Sequence, residues 1–178
     1  MSVAAIEPGA PPPLAIAAGQ SVSVAYLTGA GGVGEMSAGY GGEGETLVYE
    51  TTADFSFTTS QPEPLYLTLV DFASTGEGFD SLELNVSSSN LPALDVTFDS
   101  LRSAEEFFLD NRIDLGFGAG LQTVDISLFL TASRVGDGFG FNYTVTVPEA
   151  PTWAMMLAGF AAFGLAAAVR SRRAARVS

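Results

Sequence analysis

Between residues 21 and 147 apolar side chains recur at every second position far more often than every third or fourth, which is the signature of half-buried strands rather than helices. Val22, Val24 and Tyr26 alternate with Ser21, Ser23 and Ala25, and Phe55 and Phe57 do so within A-D-F-S-F-T-T. Leu65, Leu67 and Leu69, then Leu82, Leu84 and Val86, then Leu94, Val96 and Phe98 repeat the pattern. Val124, Ile126, Leu128 and Leu130 form the longest run, and Phe139, Phe141, Tyr143, Val145 and Val147 close the series. With Tyr49 and the stretch from Ile113 to Phe117, about eight or nine strands are expected. An apolar face opposite a Ser/Thr/Asp-rich one predicts an all-β body: an antiparallel β-sandwich, of which a jelly roll is one form, closing on a single core.

Two segments break the alternation. Ser103-Ala104-Glu105-Glu106 reads as a capping box ahead of Phe107, Phe108 and Leu109, and predicts a turn or two of helix over one end of the sandwich. Residues 29–45 hold eight glycines with Glu35, Glu43 and Glu45, and read as a long flexible loop. No Gly-Lys-Ser/Thr follows them, so a phosphate cradle is disfavoured.

From Trp153 to Val169 the pattern changes altogether. Seventeen residues, W-A-M-M-L-A-G-F-A-A-F-G-L-A-A-A-V, carry no charge, and a helix of that length covers roughly 25 Å, close to a hydrocarbon core. The alternative, a buried helix of a soluble domain, normally shows a polar face, and this run has none. A single C-terminal transmembrane helix over 153–169 is therefore expected, with Trp153 at one interface and Arg170, Arg172 and Arg173 reaching lipid phosphates at the other. Ala154, Ala158, Ala162 and Ala166 form a small-residue stripe, which seven alanines in 17 residues also produce by chance. Ahead of the span, Val147-Pro148-Glu149-Ala150-Pro151 ends strand pairing and holds the backbone extended, as a protease needs and as an ordinary juxtamembrane linker also does.

The charges divide at the same point. Residues 1–147 hold 19 acidic residues against Arg102, Arg112 and Arg134, for a net −16, whereas residues 148–178 hold Glu149 against four arginines, for a net +3. Positive residues remain in the cytoplasm, so the tail belongs inside and the acidic body outside. A body so acidic argues against nucleic acid as a partner.

The Pro-Glu motif, the short apolar helix opening on Trp and the terminal Arg cluster together resemble the PEP-CTERM sorting signal of Gram-negative bacteria. The resemblance covers about residues 147–176, with Val147, Pro148, Glu149 and Trp153 matching the family's run and Ala150 standing where it has a second Pro. It implies recognition by an exosortase, a membrane-embedded cysteine protease or transpeptidase. Cleavage near the motif would then release or transfer the body outside the inner membrane, to the surface or the extracellular matrix. Family members are commonly encoded beside exopolysaccharide genes, which makes extracellular polysaccharide an expected neighbour.

An outside body needs a route out, and residues 1–20 hold neither a basic n-region nor an unbroken apolar run. Val3 and Ala5 fit the −3 and −1 positions of a cleavage site before Ile6, so this segment is expected to be the remnant of a longer signal peptide. The rival, a tail-anchored protein without a signal, would have to move four arginines across the membrane.

Composition restricts the chemistry. With no His, no Cys and no Lys, the nucleophilic triads and the usual zinc, iron–sulfur and haem ligand sets are absent, and no enzyme activity or cofactor is expected. Carboxylates remain. Asp71, Glu77, Asp80, Asp110, Asp114 and Asp137 lie near turns and could hold Ca²⁺, although turn-forming Asp explains them as well and no Ca²⁺-loop motif appears. The alternative to a sorted matrix protein is accordingly a membrane-anchored, Ca²⁺-dependent glycan-binding module. A third class, a glycosidase working with two carboxylates, needs a pair that sequence cannot identify.

Overall fold

The computed structural model describes residues 14, 16–27 and 31–147. The chain divides at Val147/Pro148 into two units, 1–147 and 148–178, and every described residue belongs to the first. In chain order the elements are β1 (Gln20–Leu27), β2 (Gly31–Gly39), β3 (Leu47–Thr75), β4 (Ser81–Ser88), β5 (Leu91–Phe98), α1 (Leu101–Phe108), β6 (Arg112–Ala132) and β7 (Gly138–Thr146). The body is mostly antiparallel β-structure with one helix, as the period-2 pattern requires. Alternation of buried and exposed positions holds through much of β3, from buried Thr51, Ala53, Phe55 and Phe57 to Leu65, Leu67 and Leu69.

All seven strands join one continuous sheet in the order β1-β2-β7-β3-β6-β4-β5. Among the described residues there are fewer strands than the eight or nine expected, because three separate apolar stretches share one strand and two share another. Tyr49, Phe55 and Leu65–Leu69 all lie on β3, 29 residues long, and Ile113 and Ile126 both lie on β6, 21 residues long. The first half of β3 pairs with β6 from Leu47↔Ala132 to Thr59↔Gly120, and its second half pairs with β7 from Tyr66↔Thr146 to Thr75↔Gly138.

A straight β3 could not make the contacts seen. Phe55 meets Tyr143, which lies opposite Leu69, 14 residues further along β3. That separation is roughly 46 Å along an extended strand, yet the two ring centroids are 5.7 Å apart. Thr51 Oγ1 likewise donates to the Ser37 carbonyl on β2. The sheet therefore folds back on itself, and the fold line is where β3 and β6 lose register, between Thr59 and Glu63. Pro62 and Pro64 lie there on β3, and on β6 Gly120 has a φ of +85°, a turn that a side chain would oppose.

The core between the halves is aromatic. Phe139 and Phe141 of β7 receive Phe108 of α1 at 5.0 and 4.7 Å between centroids, and Phe79 packs on Phe139 at 5.8 Å. Helix α1 begins earlier than the expected box: Ser100, not Ser103, is the N-cap, its Oγ accepting the Ser103 N–H at 3.3 Å. The cap therefore serves the N–H of Ser103 rather than that of Glu106, and Ala104 and Phe108, four residues apart, share the buried face.

The glycine-rich stretch is the main correction. Instead of a flexible loop across 29–45, Gly31–Gly39 forms β2, buried along nearly its whole length between β1 and β7. Gly34 is needed there. A Cβ on it would run into the Tyr143 ring and lie 2.5 Å from the Val24 carbonyl oxygen. On the outer face, Leu14 and Ile16 lie over Gly140 and Gly138, so this part of the N-terminal segment packs on the body. Among the described residues no helix is long and apolar enough to cross a membrane, and the expected span over 153–169 lies outside them.

Candidate processing site at the end of β7

The strand that leads into the Pro-Glu motif is held on both sides. Thr146, its last residue, pairs with Gly31 of β2 and with Tyr66 of β3, and Val145 pairs with Gly32 and Leu67. Phe139, Phe141, Tyr143 and Val145 are all fully buried, so β7 is fixed by side chains as well as by its two ladders. Val147 follows as a half-buried residue packed against the core. Pro148, Glu149, Ala150, Pro151, Trp153, Arg170, Arg172 and Arg173 lie outside the described residues.

Beside the end of β7, Tyr66 carries the Arg112 guanidinium over its ring, 3.5 Å from the centroid. One of the three arginines of residues 1–147 is thus held against an aromatic face by cation–π attraction. Sequence had singled out neither residue for this role. The register that brings Arg112 opposite Thr68, diagonal to Tyr66, depends on a bulge between Pro64 and Tyr66 that no local pattern announces.

The six carboxylates considered for Ca²⁺ are mostly apart and mostly occupied with backbone. Asp137 is buried, and its Oδ1 accepts the Glu77 N–H at 2.7 Å while its carbonyl accepts the Tyr40 N–H at 2.7 Å. It thereby ties the β3–β4 turn, the β6–β7 turn and the end of β2 together. Glu77 turns outward to Arg134 in an exposed ion pair. Asp114 Oδ1 accepts the Gly116 N–H at 2.8 Å, and Asp71 Oδ1 accepts the N–H of Phe72 at 2.9 Å, both exposed. Asp110 has a positive φ of 50° in the turn into β6, and the Asp80 N–H is donated to the Thr131 carbonyl. Among the described residues no three His, Cys, Asp or Glu side chains converge as a metal site would require.

Two carboxylates do stand directly opposite each other, Asp54 of β3 and Asp125 of β6. Both are exposed on the outward face, and Asp125 accepts a hydrogen bond from Ser87. The titration of Tyr143 is clearly displaced. Burial pushes its hydroxyl well above the ordinary tyrosine range, and the negative charge of Asp54 adds to the effect. That hydroxyl has no hydrogen-bond partner among the described residues.

No protein-family model matches the chain, and no curated protein or solved structure matches it either.

Proposed function

We propose that this is an exported, non-enzymatic surface or extracellular-matrix protein whose C-terminal segment is a sorting signal read by an exosortase-type membrane protease or transpeptidase. The single observation that carries the reading is the order of the tail: V-P-E-A-P-T-W, an uncharged run to Val169, then four arginines within residues 170–176. The charge division at Val147 supports it, since a −16 body and a +3 tail suit opposite sides of an inner membrane. The end of β7 supports it too. The motif begins one residue past a strand paired on both sides, so an enzyme could grip residues 148–152 and leave the body folded.

In this reading the folded-over sheet is a β-sandwich, the segment 153–169 is its transmembrane helix, and the body stands outside the cytoplasm among extracellular polysaccharide. The nucleophile is the partner's, and Pro148 and Glu149 are its handle.

The test is expression of the tagged full chain in a Gram-negative host with and without its exosortase. Conversion of a membrane-bound, full-length form into a shorter released or surface form only when the enzyme is present is the expected result. Identical full-length, membrane-bound product in both hosts would reject the reading.

A further inference from the structure

The two edges of the sheet are built differently. Strand β5, at one edge, carries Pro92 and Asp95, and its ladder with β4 is interrupted between Val86 and Ser88. Proline, inward or outward charge and irregular pairing are the devices that stop an edge from accepting another strand. Strand β1, at the other edge, has none of them. Its sequence, Q-S-V-S-V-A-Y-L, holds no charge and no proline, and it pairs with β2 through eight successive residues without a register shift. Among the described residues β2 is its sole strand partner, and Gln20, Ser21, Ser23 and Ala25 are exposed.

Charge decides what such an edge receives. Every strand from β2 to β6 carries at least one carboxylate, and the strands without one are β1 and the central β7. An edge meant for a basic peptide would display the acids that the rest of the body supplies so freely, and they stop at β1. A strand rich in acids would be repelled by a body at −16. A neutral strand of alternating Ser and Val is left, and β1 itself is one.

We propose that β1 pairs antiparallel with β1 of a second copy, joining two seven-stranded sheets edge to edge. A two-fold axis through Ser23 places Ser23 opposite Ser23 of the second copy and Val22 opposite its Val24. All four valines then share one face, and the serines share the other. The pairing needs nothing from the C-terminal tail, so it stands or falls apart from the sorting reading.

The experiment is sedimentation equilibrium of the full chain in a non-ionic detergent, over a range of protein concentration and at low and physiological salt. A monomer–dimer equilibrium is expected. It tightens with salt, because two bodies at −16 repel until the screening length falls from about 30 Å to about 8 Å. Ser23→Lys sets like charges face to face at the axis and weakens the dimer by about tenfold or more. Thr97→Lys, an equally exposed position on β5, leaves it unchanged. A circular-dichroism melt of Ser23→Lys matching the parent shows that the fold is intact. In a chain without cysteine, Ser23→Cys supplies an independent readout: a disulfide-linked dimer under mild oxidation, with none from Thr97→Cys. A chain monomeric at every concentration and salt, or a dimer that Ser23→Lys leaves intact, overturns the proposal.

Discussion

The ring of Phe55 meets the ring of Tyr143 edge to face, with the planes at 83°. Phe55 belongs to the half of the sheet built on β6 and Tyr143 to the half built on β2 and β7, so this contact joins halves that the hydrogen-bond ladder reaches only around a bend. Both residues are almost completely buried. Phe55→Ala should therefore cost about 3 to 5 kcal/mol, the lost transfer energy together with the cavity left behind. Against a total stability of about 5 to 15 kcal/mol for a domain, that removes a large share, and urea unfolding followed by circular dichroism measures it.

Tyr143 makes a sharper prediction because its hydroxyl is buried without a partner among the described residues. Tyr143→Phe keeps the ring that Phe55 and Phe141 pack on and removes the desolvated oxygen, so it should stabilise the body by about 1 kcal/mol. It also changes the alkaline limit. Burial raises the folded-state pKa above the ordinary value near 10, so the unfolded chain ionises first and the stability is lost as pH climbs past that value. Below it nothing changes. Unfolding midpoints from pH 8 to 11 should fall more steeply in the parent than in Tyr143→Phe.

Gly34→Ala tests why a glycine-rich stretch became a strand. The new methyl would meet the Tyr143 ring and the Val24 carbonyl, of which the second is backbone and cannot turn away. A loss of roughly 1 to 3 kcal/mol follows from such overpacking. Gly44→Ala, in the turn before β3, meets nothing within 4 Å, although its φ of +83° adds local strain. The larger fall in melting temperature is expected at Gly34.

Much of the fold is legible in the chain because period 2 is a direct consequence of half-burial. Leu82, Leu84, Val86, Val124, Ile126, Leu128 and Leu130 are buried as their spacing requires. Strand β2 escaped because Gly has no side chain to alternate, and its burial comes from rings and carbonyls of neighbours distant in sequence. The bends of β3 and β6 escaped for a related reason: a turned strand and two separate strands show the same local pattern, and only pairing distinguishes them. The Arg112–Tyr66 stack depends on the same long-range register. The run proposed as a sorting motif is the reverse case, legible as a local stretch of residues, of which Val147 alone falls within the described part.

Asp137 should behave as a tie between turns. Asp137→Ala removes the charged acceptor of a part-buried hydrogen bond from the Glu77 N–H, at a cost of about 1.5 to 3 kcal/mol. Asp137→Asn retains an oxygen for that donor and should lose less. Millimolar Ca²⁺ should leave the melting temperature of the parent within error, whereas a ligand bound at 100 times its Kd would add about 2.7 kcal/mol. A clear upward shift with Ca²⁺, abolished by chelator, would favour the glycan-module reading instead.

The position of β7 sets where the chain can be cut without loss of the body. Its ladders to β2 and β3 are what connect β1–β2 to the rest of the sheet, and it brings Phe139, Phe141, Tyr143 and Val145 to the core. A fragment ending at Asp137 would leave Met36, Phe108 and Phe55 facing solvent in place of those rings, with two sheet edges opened at once. A fragment ending at Val147 retains every pairing of the described body. Residues 1–147 should therefore unfold in one cooperative transition with near-native dichroism, and residues 1–137 should show none. Cooperative folding of the shorter fragment would mean that β7 is dispensable, and the proposed processing enzyme would then be free to cut upstream of Val147.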